Sequence, residues 1–387
     1  AGGAEARLAQ PGAAEGLRQA LRLWATGLIL REAAGDFEAP AILWVGDTGP
    51  RRWMGHTLAG AAICGDNPDT IYRHAFVDGT AVYELTGTRP RNPAAELSIE
   101  PLPGLAGVIP PSGSLTGKIG AAGGPPMLTD RDLRFDSAGR FRVVLGGEPP
   151  DDGALHMALP PEAVAINTRD VFSDWAQDAY PLALRRLSPP RGPKLSEDAI
   201  RDRVIAHLPD YVGHWRRFGE TWLGGLAPNT FKGPLGRAGS WSYILAGRFS
   251  LRPGKAAVLT GRPGGAGYHG CQITDTWMVS LDNMHRQASL NAAQATPDSD
   301  GWVSYVIAPE DPGVANWLDT GGLMDGLFIM RWQLFGSDFT PEGLVRGYEV
   351  VPAAEVARRR SLAPISPQER RTRLEGRAAA YARRTSG

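Results

Sequence analysis

The sequence predicts a mainly β protein with flanking helices (α+β). It is built from two duplicated antiparallel β-sandwich or jelly-roll-like halves, each preceded by a helical segment, with a further helix at the C-terminus. Three observations predict this. Glycine (49) and proline (32) cut the text into short apolar runs such as AILWV, AVYEL and FRVVL, the pattern of many short strands joined by tight turns. Three other stretches carry helical periodicity instead. The text also repeats itself at an offset of 160 to 162 residues.

Residues 15–34 form the first expected helix. Leu17, Leu21, Trp24 and Leu28 share one face, and Gly35 is placed to end it. Strand text follows from about Ala41 to Val144. A second helical stretch spans about 196–224, capped by Ser196, with Glu197 and Asp198 in its first turn. Pro209 is expected to divide it into two helices. Trp215 and Phe218 follow at helical spacing and read as a core stripe. Strand text resumes near Trp241 and runs to about Val351. In the basic tail, Ser366-Pro367-Gln368-Glu369 is a capping-box start with proline at the first helical position. The organisation expected is an N-terminal helical segment (1–36), a first half (37–190), a helical connector (191–228), a second half (229–352) and a C-terminal basic helix (353–387).

The repeat supports two similar halves. Pro68-Asp69-Thr70 recurs as Pro228-Asn229-Thr230, and Tyr83, Leu85 and Gly87 match Tyr243, Leu245 and Gly247. Further on, Asp136-Ser137-Ala138-Gly139 matches Asp298-Ser299-Asp300-Gly301, and Arg169 matches Arg331. Packed halves leave a seam, and pockets favour such interfaces.

Composition excludes several functions. Basic and acidic side chains balance at 41 each, which argues against broad nucleic-acid binding. No apolar run reaches the length of a membrane span. The two cysteines, Cys64 and Cys271, form no CxxC pair, so neither a thiolate zinc site nor a disulfide framework is expected. The default localisation is cytoplasmic; a leader removed before residue 1 would leave no trace in this sequence. Homo-oligomer formation is left open.

Several motifs resemble the bacterial domain-of-unknown-function family numbered 1214, which is related to the family numbered 1254. They are Gly65-Asp66-Asn67-Pro68-Asp69-Thr70-Ile71-Tyr72, Asp275-Thr276-Trp277, Ser289-Leu290-Asn291 and Asp311-Pro312-Gly313-Val314-Ala315-Asn316-Trp317-Leu318-Asp319, closed by Arg331. The resemblance implies a β-sandwich, jelly-roll-like architecture and supplies no settled reaction. The first half carries Ala154-Leu155-His156 where the second carries Asn316-Trp317-Leu318, so a site using Asn316 and Trp317 would be one-sided.

Acid–base chemistry is the best-supported activity. Asp66 and Asp69 bracket a turn that would expose both carboxylates, and Asp275, Asp282 and His285 cluster in the second half. A carboxylate in an apolar pocket has a raised pKa and can donate a proton. The catalytic residues expected are Asp66, Asp275, His269 and Tyr72. Asn67, Trp277, Asn316, Trp317 and Arg331 are expected to bind substrate, with no metal and no cofactor. An Asp275–Arg331 salt bridge is the structural alternative for Asp275. The expectation is a cofactor-independent enzyme of the isomerase or lyase type. Its substrate would be a small, largely apolar molecule of terpenoid, steroid or aromatic type, bound between the halves and isomerised, hydrated, dehydrated or cyclised. One alternative is a non-catalytic carbohydrate- or hydrophobic-ligand-binding protein using its tryptophans as platforms. A second is a hydrolase using Cys271 or a metal held by His74, His269, His285 and Asp66 or Asp275. The glycine-rich run 261–267 lacks the strand–GxGxxG–helix context and reads as a loop.

Overall fold

The computed structural model describes residues 12–53, 55–105, 107, 127–223, 226–236, 241–359 and 362–385. The parts of the expected N- and C-terminal segments at 1–11 and 386–387 lie outside the described residues. Helix α1 (Ala13–Ala33) opens the chain. The first half then contributes β1 (Leu43–Trp44), β2 (Arg51–Trp53), β3 (His56–Leu58), β4 (Thr70–Phe76), β5 (Tyr83–Thr88) and β6 (Glu96–Leu102). It continues with β7 (Leu128–Thr129), β8 (Arg140–Leu145), β9 (Leu155–Met157), β10 (Ala165–Val171) and β11 (Leu182–Arg186). Helix α2 (Glu197–Leu223) leads to β12 (Thr230–Gly236), β13 (Ser242–Ser250), β14 (Lys255–Gly261), β15 (Ala266–Thr274) and β16 (Ser289–Asn291). Then come β17 (Val303–Ala308), β18 (Trp317–Asp319), β19 (Asp325–Phe335) and β20 (Val345–Pro352). Helices α3 (Ala353–Val356) and α4 (Pro367–Thr385) finish the described chain.

The two halves have the same topology. In the first, a sheet ordered β1-β4-β10-β6-β7 faces one ordered β11-β5-β8-β9; in the second, β12-β13-β19-β15-β16 faces β20-β14-β17-β18. Pairing is antiparallel except for β8 with β9 and, at the matching place, β17 with β18. Each pair of sheets encloses its own core. Ile71, Leu97 and Ile99 meet Tyr83, Leu85 and Val143 in the first half, and Phe328, Met330 and Trp332 meet Leu259, Tyr305 and Ile307 in the second. The fold class is therefore the one expected, a pair of β-sandwiches with few helices.

The register corrects part of the repeat. Arg169 pairs with Tyr72 and Ser98, and Arg331 pairs with Ile244 and Gly270, so Arg169 and Arg331 are equivalent, as the 162-residue offset requires. The same pairs make Tyr72 equivalent to Ile244 and Ser98 to Gly270, a shift of 172 residues. The match of Tyr83-x-Leu85-x-Gly87 to Tyr243-x-Leu245-x-Gly247 joins β5 to β13, which lie in non-equivalent sheets. The partner of Leu85 is Leu259, since each sits opposite an equivalent residue, Val143 or Tyr305. Strand text with a common alternation matches itself in many registers, and only pairing distinguishes them.

The helices fill the seam. Ala20, Leu23, Trp24 and Leu28 of α1 and Tyr211 and Trp215 of α2 share one cluster with Ala62 and Cys64 of the first half and Trp277, Met278, Leu327 and Ile329 of the second. Helix α2 is continuous, contrary to the expected break at Pro209. Proline there removes one backbone donor, and packing of the surrounding Leu208, Tyr211 and Val212 against α1 outweighs that loss. Residue 34, not a left-handed Gly35, closes α1. The capping box at the start of α4 forms as expected: Ser366 N–H donates to Glu369 Oε2 at 2.8 Å, and Glu369 N–H donates to Ser366 Oγ at 3.2 Å.

Candidate functional site

Helix α4 carries guanidinium groups into both halves. Arg370 is paired with Asp311, Arg377 donates to Ser289 O at 2.9 Å, and Arg384 donates to Pro68 O at 3.0 Å. The segment 65–70 that receives Arg384 is the centre of the seam. Gly65 has φ +68°, a conformation that favours glycine, and its N–H donates to Met278 O at 2.9 Å. This turn feeds Asp66, Asn67 and Asp69 into the interface, where all three are buried. The expectation that the turn exposes its carboxylates is thus corrected: the second half covers it.

Two polar clusters result. In one, Ser280 Oγ donates to Asp66 Oδ1 at 2.8 Å, and Gln272 Nε2 donates to Asp66 O at 2.8 Å. Arg331 donates to Gln272 Oε1 and to Gly65 O, tying β15 and β19 to the turn. Asp66 Oδ2 makes no hydrogen bond to a described residue. Burial pushes the Asp66 carboxyl up to about 7, with the nearby Asp47 carboxylate adding to the shift and Ser280 and Arg331 opposing it. In the other cluster, Tyr268 OH donates to Asp69 Oδ2 at 2.8 Å, while Trp175 Nε1 and Asn291 Nδ2 donate to Asp69 Oδ1 at 2.6 and 3.2 Å. Asn67 Nδ2 donates to Tyr268 OH at 2.8 Å and so joins the two. Burial beside Asp69 holds the Tyr268 phenol well above its usual range. Tyr72 OH accepts from Asn67 N–H at 3.2 Å.

Asp66, Asn67, Tyr72 and Arg331 are therefore brought together. The other expected site residues are elsewhere or otherwise engaged. Asp275 Oδ1 accepts from the N–H groups of Trp277 and Val279 at 2.8 and 2.9 Å, so it closes its own turn and forms no salt bridge with Arg331. Burial nonetheless raises its carboxyl to about 7. Trp277 is buried under α1, with Nε1 donating to Ala13 O at 3.0 Å. Asn316 holds Thr296 by two hydrogen bonds of 2.8 and 2.7 Å, and Trp317 Nε1 donates to Ala308 O at 2.9 Å at the edge of the outer sheet. Neither is at the seam. His269 shares the core-facing side of β15 with Cys271, opposite to Tyr268 and Gln272, because strand side chains alternate. Neither ring nitrogen of His269 has a hydrogen-bond partner, and burial lowers its pKa to about 4. Burial raises the Cys271 thiol strongly, which disfavours a thiolate nucleophile.

The histidines do not converge. His74 lies on the first half's seam face beside Asn167, and His285 is exposed and bonded to Asp282 at 2.8 Å. Among the described residues no group of three or more histidine, cysteine, aspartate or glutamate side chains is placed to hold a metal ion. None of the described tryptophans is among the exposed large apolar side chains. No helix of the described chain is long and apolar enough to cross a membrane.

Three residues of the site escaped the sequence reading in that role. Gln272 and Ser280 face Asp66, and Trp175 faces Asp69. The alternation of β15 placed Gln272 with Tyr268; only the pairing of halves reveals what they meet.

No family model and no curated protein matches the chain. Its fold is similar to that of a solved uncharacterized protein from Burkholderia cenocepacia, at 23% identity and a TM-score of 0.72, covering 90% of this chain and 91% of that one. The VPA0106 protein from Vibrio parahaemolyticus aligns at 10% identity and a TM-score of 0.44, over 87% of this chain and 98% of that one.

Proposed function

We propose that the seam around Asp66 is the active site of a cofactor-independent enzyme acting on a small, largely apolar organic molecule by proton transfer. Isomerisation, hydration or dehydration, and cyclisation are the reactions such a site serves. The observation that carries the reading is Asp66 itself: a buried carboxyl pushed up to about 7, with one oxygen bonded to Ser280 and the other without a hydrogen bond to a described residue. A group poised near the working pH both gives and takes a proton. Met278 and Ile329 line the turn beside it, since a Cβ at Gly65 would lie 3.1 and 3.5 Å from them, so the surroundings favour an apolar substrate. Ser280, Gln272 and Arg331 act as positioning residues, and Asn67 and Tyr72 supply polar contacts.

The test incubates the protein in D2O with a fraction of small apolar metabolites and follows them by mass spectrometry. The wild type converts or deuterates one of them, and Asp66→Asn loses that activity by about a hundredfold or more while its melting temperature is retained. Undiminished conversion by Asp66→Asn contradicts the proposal.

A further inference from the structure

A cleft of about 350 Å³ opens where α4 crosses the seam, and its walls come from both halves and the helix. Three arginines line it: Arg373, Arg377 and Arg383. The acidic group on the wall is the exposed Asp174, which forms no ion pair with any of them. Arg377 forms the floor. It is buried, its guanidinium lies 3.9 Å from the centroid of the Trp175 ring, and it donates to Asn283 O, Ser289 O, Ser289 Oγ and Gln294 Oε1 with no carboxylate in contact. Its charge is hydrogen-bonded to neutral acceptors, and the carboxylates that act on it, Asp69 and Asp282, do so without contact. Arg373 donates one hydrogen bond, to Ala315 O at 2.8 Å, and Arg383 is exposed and makes none to a described residue. These two stand ten residues apart on α4, about 15 Å of helix rise, with Arg377 between them.

One further group points to a ligand. Gln287 lines the cleft and is 1% exposed. Its Nε2 donates to Ala315 O and Trp317 O, which leaves Oε1 buried without a donor. A buried acceptor of this kind is costly unless a ligand or water satisfies it. Positive charge at both ends and beneath suits an elongated dianion, because guanidinium groups bind carboxylates through paired charge-assisted hydrogen bonds. The unsatisfied acceptor suits a hydroxyl donor on the same ligand.

We propose that this cleft is a binding site for a small hydroxy-dicarboxylate, held by Arg373 and Arg383 at its two ends and by Gln287 Oε1 at its hydroxyl. The site is distinct from Asp66 and does not depend on the chemistry proposed there.

Isothermal titration calorimetry of the full chain with malate, succinate and butyrate tests it. Malate is expected to bind saturably, more tightly than succinate, and butyrate the weakest. Arg383→Gln, at an exposed residue with no partner to lose, and Arg373→Gln are each expected to weaken malate about tenfold with the melting temperature kept. Three results overturn the proposal: no saturable binding of malate up to about 20 mM, equal affinity for malate and butyrate, or malate affinity unchanged in both arginine variants.

Discussion

Arg169 and Arg331 occupy equivalent positions on the central strands β10 and β19, and each donates to the side chain at an equivalent position, Glu100 or Gln272. Each also reaches across the seam. Arg169 lies 4.8 Å from the ring centroid of Trp241 in the second half, and Arg331 bonds to Gly65 O in the first. Duplication thus built the interface from one arginine used twice. The copies diverged in the partner, a carboxylate in one half and an amide in the other.

That divergence sets a stability difference. Arg169→Ala leaves the buried Glu100 with only Asn167 as a side-chain donor among the described residues, whereas Arg331→Ala strands the neutral acceptors Gln272 Oε1 and Gly65 O and removes only a charge that acts on Asp66 without a hydrogen bond. Loss of one partner of a buried ion pair costs about 3–5 kcal/mol, and an unsatisfied neutral acceptor about 1–3 kcal/mol. Urea denaturation of both variants is expected to rank Arg169→Ala as the more damaging.

Asp275 gives a pH-dependent prediction. Its folded carboxyl, near 7, is raised above the ordinary value of 3.8, so the folded state holds the proton more tightly than the unfolded chain. Stability is therefore greatest below about pH 4 as far as this group is concerned, declines as pH rises through about 7, and levels off above it. Asp275→Asn keeps both backbone hydrogen bonds, since they fall on the single oxygen Oδ1. Melting curves from pH 5 to 8 are expected to show a shallower decline in the variant, by on the order of 1–2 kcal/mol.

Cys271 and Asn316 are expected to be structural. Cys271→Ala keeps any activity that depends on Asp66 and destabilises modestly. Cys271→Ser also keeps activity but costs about 1–3 kcal/mol, because its hydroxyl enters an apolar core. Activity lost in both with folding intact would restore the thiol mechanism.

Asn316→Ala removes both bonds to Thr296 and is expected to cost about 1–3 kcal/mol with no change in catalytic rate per folded molecule. Thermal denaturation alongside the conversion assay separates the two effects.

Much of the architecture was legible because it is local. Turn residues, alternation and the Ser366–Glu369 capping box are written in adjacent positions, and the duplication shows in the equivalence of Arg169 and Arg331. The exact repeat was less legible, since Tyr83 and Tyr243 share an alternation but not a place in the fold. Of the candidate residues, Asp66, Asn67 and Arg331 stand in a turn and a strand that the sequence marks, and the structure brings them together. The backbone partners of Trp277 and Asn316 were not legible, because an aromatic or amide near a motif looks the same whether it meets a ligand or a backbone carbonyl. The buried Arg73–Asp170 ion pair was missed altogether. Both residues sit at core-facing positions, where the second half has Leu245 and Trp332.

The account stands most directly on the Asp66 carboxyl. A carbon-13 NMR titration of aspartate-labelled protein, with Asp66→Asn used to assign the resonance, measures it. The account predicts a midpoint of about 7 for Asp66. A midpoint at the ordinary aspartate value of 3.8 would remove the proton donor on which the proposed chemistry depends.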